Sequence, residues 1–270
     1  MDVLGLPLNT ALSRLEAEGK PVRTVEVRSK KGSKGDDRRV VKVTETDGET
    51  LVYWSAFLTE VAPKAPEGYL NVPVLCESGG SWRVEVRTLS LSDPAYDFSD
   101  PRKVLSREAG NYVYLTSISH LRLARSRDGI HFTVDPEPFI RPDCALEGFG
   151  AEDARITLLD GTYWINYTAV SAHGITTALA ATRDFVEVRK HGVAFVTENR
   201  DVTIFPEKIR GKYFALVRPV PRQIGAARIW LAESPDLLHW GSFCPLGLPV
   251  FPWSDARTGG GAVPLRIPQG

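Results

Sequence analysis

The chain has 270 residues and balances 33 Lys and Arg against 33 Asp and Glu, which argues against a nucleic-acid partner, whose footprint is strongly basic. Its composition, 43% hydrophobic and 24% charged, is that of a soluble globular protein; no apolar run reaches the roughly 18 residues of a membrane span, and the acid-containing amphipathic start is no signal peptide. Cys76, Cys144 and Cys244 are far apart and form no CxxC pair, which points to a reduced, cytoplasmic setting.

In chain order, residues 1–62 read as a small α+β unit. Leu8, Leu12 and Leu15 share one helical face with Ala11 beside them; Asn9 and Thr10 are placed to cap its start and Gly19 to end it. Three strand-like runs follow, Val22–Arg28, Arg38–Glu45 and Glu49–Leu58, with Asp47-Gly48 as a hairpin turn. One helix with three strands after the opening Leu4-Gly5-Leu6-Pro7-Leu8 resembles a PASTA module. The basic cluster Lys30, Lys31, Lys34, Arg38 and Arg39 encloses Asp36 and Asp37, which screen it, so it reads as a solvated loop rather than a polyanion site. Residues 63–69, rich in proline and charge, read as a linker.

From residue 70 onward an internal repeat emerges. Gly110-Asn111-Tyr112, Gly161-Thr162-Tyr163 and Gly211-Lys212-Tyr213 each open a strand, at intervals of 51 and 50 residues. Leu123–Asp128, Leu179–Asp184 and Leu231–Asp236 form a second recurring element, 56 and 52 residues apart. A third precedes each Gly-x-Tyr: Asp100-Pro101-Arg102, Asp153-Ala154-Arg155 and Pro206-Glu207-Lys208. Short strands and tight turns with a period near 50 residues fit β-propeller blades. Three units are visible, with strands before them at Asn71–Glu77 and Trp82–Leu91 and one after them at Ala262–Ile267. Because a closed propeller needs about four to eight blades, the expectation is an incomplete, mainly β propeller that tends to self-associate.

In a propeller, polar residues near the ends of the inner strands converge on a central channel. Glu152-Asp153-Ala154-Arg155 puts two acids and a base at a strand entrance, the makings of a general acid with its charge partner. Asn199-Arg200-Asp201 and Phe205-Pro206-Glu207-Lys208 are taken as its counterparts one repeat later, with Tyr167, Ser171, His173 and His120 as further candidates. No P-loop, GxSxG, HExxH or paired-cysteine metal site occurs, and Gly259-Gly260-Gly261 lacks the strand and helix of a nucleotide fingerprint. No metal or cofactor is expected.

Several of these segments resemble glycoside hydrolase family 130: Asn111–Ala124, Gly150–Thr157, Tyr163–Ser171, Asn199–Ile209 and Ile229–Trp240, spread over residues 68–270. The resemblance implies a five-bladed propeller acting on β-mannosides, either as a phosphorylase that uses inorganic phosphate as co-substrate or as an inverting β-1,2-mannosidase. It implies Asp153 as proton donor, acting through a sugar hydroxyl, with Glu152, Tyr167, Asp201 and His120 as substrate contacts. It implies Arg155, Lys208 and Arg218 as phosphate ligands, guanidinium and ammonium groups being suited to phosphate oxygens. Ala154 stands where the family usually has Pro, and Val217 where it often has His. Family members usually carry a first blade where this chain has residues 1–62, and they continue past Gly270, so a truncated or chimeric chain is the expectation. An inactive carbohydrate-binding remnant, or a cell-wall interaction protein built on the N-terminal unit, stays open as an alternative.

Overall fold

A computed structural model describes residues 3–19, 21–27, 37–46, 48–57, 65–221, 223–249, 251–254 and 256–268. Lys30, Lys31, Lys34, Asp36, Asp47 and the first two residues of the expected linker, Pro63 and Lys64, lie outside the described residues. The chain divides into two units, Met1–Ala65 and Pro66–Gly270.

The first unit has one helix, α1 (Leu8–Ala17), and a three-stranded sheet of β1 (Val22–Glu26), β2 (Asp37–Thr46) and β3 (Glu49–Phe57) in the order β1-β3-β2. The helix starts two or three residues earlier than its polar residues suggested. Pro7 precedes it with φ −53°, and the Pro7 carbonyl accepts from the Ala11 amide, so Asn9 and Thr10 lie inside the first turn and cap nothing. Proline is tolerated there because the first helical turn needs no N–H from it. Gly19, at φ 72°, ends the helix as expected. Leu8, Ala11 and Leu15, spaced three and four apart, pack on Val3, Val40 and Val52 as the core of this unit.

The second unit is antiparallel throughout its named strands. It opens with a long hairpin, β4 (Tyr69–Ser78) and β5 (Ser81–Ser90), closed by Gly79-Gly80 at φ 60° and 77°, the left-handed pair a tight hairpin turn requires. β6 (Tyr96–Asp97), β7 (Lys103–Ser106) and β8 (Tyr112–Leu115) form a three-stranded sheet; β9 (Ala124–Arg125) and β10 (Thr133–Val134) pair separately. Two complete four-stranded meanders follow. The first is β11 (Gly150–Leu159), β12 (Thr162–Ser171), β13 (Gly174–Thr182) and β14 (Arg189–Phe195). The second is β15 (Asn199–Ile204), β16 (Tyr213–Pro219), β17 (Trp230–Ser234) and β18 (Gly241–Pro245). The Gly-x-Tyr repeats open β8, β12 and β16, and the Leu-Ala repeats run through β9, β13 and β17, as read from the sequence. Ala262–Ile267, expected as a strand, carries none.

The repeat owes part of its regularity to a turn. Asp128 accepts from the amides of Ile130 and His131, Asp184 from Val186 and Glu187, and Asp236 from Leu238 and His239. In each case a Ser or Thr two residues earlier (Ser126, Thr182, Ser234) accepts from the Asp amide. His131 and His239 close two of the turns, with Nδ1 2.7 Å from the carboxylate.

The two meanders share a core of Leu179 and Phe195 from the first with Val202, Ile204, Ala215, Val217 and Ala232 from the second. Two buried polar bonds fix how they meet. Asn166 Nδ2 donates to the Val202 carbonyl at 2.7 Å, and Thr157 Oγ1 to that of Ile204 at 3.2 Å. No helix is long and apolar enough to cross a membrane among the described residues, and all three cysteines are unpaired.

The turn carboxylates set an acid limit on stability. Backbone amides and a neighbouring histidine hold Asp236 well below the usual carboxylate range. A group whose folded value is depressed stabilises fully above its unfolded value, near 3.9, and less as pH falls toward the folded one. Asp236→Asn is therefore expected to lower the melting temperature at pH 7, and the gap to wild type should narrow as pH falls below about 4. A gap independent of pH in acid melting curves would contradict this.

Candidate active site

The residues with catalytic chemistry gather where β11 and β15 begin. Both strands are interrupted near their starts by a bulge, between Glu152 and Arg155 on β11 and between Arg200 and Thr203 on β15. Each bulge carries an aspartate in the left-handed region, Asp153 at φ 59° and Asp201 at φ 52°. Asp is among the few residues that adopt this conformation readily, and a bulge re-aims its side chain out of the ladder. The counterpart of Glu152–Arg155 is thus Arg200–Thr203. Phe205–Lys208 instead lies in the turn at the other end of β15.

Four side chains of alternating charge link the bulges. Arg155 Nη1 is 2.8 Å from Asp153 Oδ2 and also donates to the Asp153 carbonyl. Arg155 Nη2 is 3.8 Å from Asp201 Oδ1, and Arg218 Nε is 2.8 Å from Asp201 Oδ2. The last contact is an ion pair by distance, although its N–H is not aimed along a hydrogen bond. Exposure is graded along the array: the Arg218 side chain is 5% exposed, Arg155 16%, Asp201 26% and Asp153 54%. A buried guanidinium thus stands at one end and an accessible carboxylate at the other. Asn199 Oδ1 accepts from the Arg218 amide and steadies β16 at this point.

Backbone crowding brings in a third segment. Ser119 bridges Gly150 in parallel, and its carbonyl accepts from the Ala151 amide at 3.0 Å. A Cβ on Gly150 would overlap Ser119, so only glycine permits this approach. The bridge sets exposed His120 beside the strand that leads to Asp153, while Glu152 is half-buried immediately before the bulge.

Two candidates lie elsewhere, which corrects the sequence-based grouping. Lys208 sits over the Tyr213 ring at 4.7 Å and lines a separate cavity of about 360 Å³ with Arg210 and Arg266. Tyr167 is 1% exposed and points into the core. Its hydroxyl donates to Glu147 Oε1 at 2.7 Å, and burial beside that carboxylate raises it far above the ordinary phenol range. Lys190 Nζ completes the cluster, 2.7 Å from both Glu147 and Asp143. Asp143, Cys144 and Glu147 are close enough together to hold a metal, but the Lys190 ammonium already bridges the two carboxylates and offsets one of their charges. Strand alternation explains the misplacement of Tyr167: Asn166 and Thr168, on either side of it, face the opposite way.

Sequence reasoning missed the segment Gly259–Gly261, having weighed it only as a nucleotide loop. Arg155 donates to the Gly260 and Gly261 carbonyls at 3.4 and 3.3 Å. No motif announced this, because the contact spans about a hundred residues.

An accessible carboxylate beside guanidinium groups can manage a proton while anionic oxygens are held nearby. Known proteins give this arrangement a family. The glycoside hydrolase family 130 profile, described as beta-1,4-mannooligosaccharide phosphorylase, matches residues 94–267. A beta-1,2-mannobiose phosphorylase of Listeria innocua is 45% identical over 234 residues, covering 84% of this chain and 64% of that protein. A 1,2-beta-oligomannan phosphorylase of a Thermoanaerobacter species is 34% identical over 157 residues, covering 57% of this chain and 51% of that one. Among solved structures, the Listeria innocua enzyme in complex with beta-1,2-mannobiose superimposes with a TM-score of 0.68 at 39% identity, covering 86% of this chain and 67% of that one. The chain belongs to glycoside hydrolase family 130. It spans between half and two thirds of the length of these curated relatives.

Tyr167→Phe tests the structural role of that residue. Removing the hydroxyl leaves the buried Glu147 short of a donor, so a loss of about 1–3 kcal/mol in unfolding free energy is expected. Substrate KM should stay unchanged; a raised KM with unaltered stability would restore Tyr167 to the site.

Proposed function

We propose that this chain carries the phosphorolysis of β-1,2-linked mannosides. Inorganic phosphate attacks the anomeric carbon, the bond to the leaving sugar breaks, and mannose 1-phosphate forms with inversion. The single observation that carries the reading is the Asp153–Arg155–Asp201–Arg218 array, found in a chain 45% identical to a beta-1,2-mannobiose phosphorylase. The two complete meanders, with bulged first strands side by side, support a propeller of the five-bladed kind in which inner strands present such residues to a central channel.

Each group has a part in this scheme. Asp153, the most exposed of the four, supplies the proton that the leaving oxygen takes up, relayed through a sugar hydroxyl. Arg155 and Arg218 hold the phosphate oxygens, which guanidinium forks match in shape and charge. Asp201 lies between the two guanidiniums and keeps them from repelling one another apart. Glu152 and His120, flanking the start of β11, are in position for sugar hydroxyls. Lys208, seven residues beyond Asp201 in the turn after β15, falls outside this array.

The test is product analysis in phosphate buffer with β-1,2-mannobiose. Mannose 1-phosphate supports the reading; free mannose alone would make the chain a hydrolase, and no product would make it a binding remnant. Asp153→Asn, which keeps the shape but cannot act as an acid, is expected to lower turnover by about 10²-fold or more with the fold intact. A near-normal rate on a substrate with a poor leaving group would remove Asp153 from the role.

Arg218→Ala is expected to raise the phosphate KM far more than the mannoside KM. Lys208→Ala should leave both close to wild type. A phosphate KM that responds to Lys208 and not to Arg218 would reverse the assignment.

A further inference from the structure

Most of the described glycines take a positive φ, which favours glycine whatever the space around it. Gly161, for example, takes φ 72° with open space where a side chain would be. Gly259 and Gly260 differ: neither adopts a left-handed φ, so conformation does not call for glycine at either position. Space does. A Cβ on Gly259 would overlap the Asp201 carboxylate, and one on Gly260 would stand 2.8 Å from the Asp201 carbonyl and 3.2 Å from the Thr203 side chain. Asp201 is the acid between the two guanidiniums, and Thr203 is fully buried.

The segment cannot easily retreat from such a collision. Arg257 bridges Ala227, and the Thr258 amide donates to the Ala227 carbonyl at 2.9 Å. Arg228 Nη1 donates to the Ser254 carbonyl at 2.8 Å and to Thr258 Oγ1 at 3.3 Å. From that anchored position the Gly260 and Gly261 carbonyls accept from Arg155. One short stretch of backbone therefore touches both an acid and a base of the array, pressing on Asp201 while turning the Arg155 guanidinium.

We propose that Gly259 and Gly260 are positioning residues for anion binding: their missing side chains let the backbone fix Asp201 and Arg155 in the geometry that receives phosphate. The proposal deepens the phosphorolysis reading and rests on it for the identity of the anion. Displacing Asp201 by the width of a methyl group breaks its contact with Arg218 and frees both guanidiniums to reorient. Misplacement by about 1 Å is enough to cost on the order of 10²-fold in rate.

The experiment compares Gly259→Ala and Gly260→Ala with wild type and with Gly241→Ala, a β18 position where a Cβ meets nothing. Turnover of β-1,2-mannobiose is followed at varied phosphate and at varied mannoside, and phosphate binding is measured by calorimetry on the same proteins. The expected result is a phosphate KM and Kd raised at least about tenfold in both variants, with the mannoside KM unmoved and Gly241→Ala like wild type. Unchanged phosphate affinity in Gly259→Ala overturns the proposal, as does an equal rise in both KM values. If wild type shows no phosphate-dependent turnover, the functional reading fails on its own, and calorimetry still decides: phosphate bound by wild type and lost in the variants upholds the positioning role, and no binding by wild type ends it. If Gly259→Ala does not fold, Gly260→Ala decides by the same measurements: a raised phosphate KM and Kd upholds the proposal, and unchanged phosphate affinity overturns it.

Discussion

β15 is held against the first meander by two buried side-chain donors that reach its backbone. Asn166 binds the Val202 carbonyl and Thr157 that of Ile204, both from the face that also packs Leu179 and Val217. Asn166 is, in addition, the ladder partner of Arg155. The residue that anchors β15 thus sits opposite the residue that must bridge to it. Shifting either strand by one position would turn every side chain to the wrong face, and Arg155 could no longer reach both aspartates. The register between the two sheets is the condition on which the charged array depends.

Given that register, the array obeys ordinary electrostatics. Two guanidiniums brought this close would repel, and a buried one such as Arg218 is costly without an opposite charge. Asp201 answers both needs at once, and the left-handed conformation at residue 201 is what carries its carboxylate between them. The same device at residue 153 leaves its carboxylate more open to solvent, because only one guanidinium sits beside it. Similar backbone, different neighbours, and so two aspartates with different work.

Much of this was legible in the residues. The Gly-x-Tyr and Leu-Ala repeats are local: each marks a strand start and a turn whose bonds close within a few positions, so the meanders and the position of Asp153 followed directly. Lys208 was misgrouped because Pro206-Glu207-Lys208 was aligned with Asp153-Ala154-Arg155, 53 residues earlier, whereas the two bulged aspartates, Asp153 and Asp201, are 48 residues apart. Tyr167 was misread because a polar tip on a strand looks the same whether it faces a channel or a buried carboxylate; Glu147, which decides the matter, is twenty positions away and carries no motif. The glycine run was invisible for a stronger reason. Its meaning lies in what a side chain would strike, and nothing in a sequence records excluded volume between segments so far apart.

The Ser/Thr-x-Asp turns carry a consequence for how the chain acquires its shape. Each closes a loop of about five residues, and such short loops form in well under a microsecond, long before any strand can find a distant partner. The three copies at Ser126, Thr182 and Ser234 are local contacts, each able to reverse the chain before the strands on either side of it pair. Propagation from them needs only neighbouring strands, which keeps the contact order of each sheet low in a protein whose all-β topology would otherwise make it slow to assemble. The late event is the docking of one meander on the other, when Asn166 and Thr157 find β15. The charged array, whose members come from both meanders, cannot form without that docking.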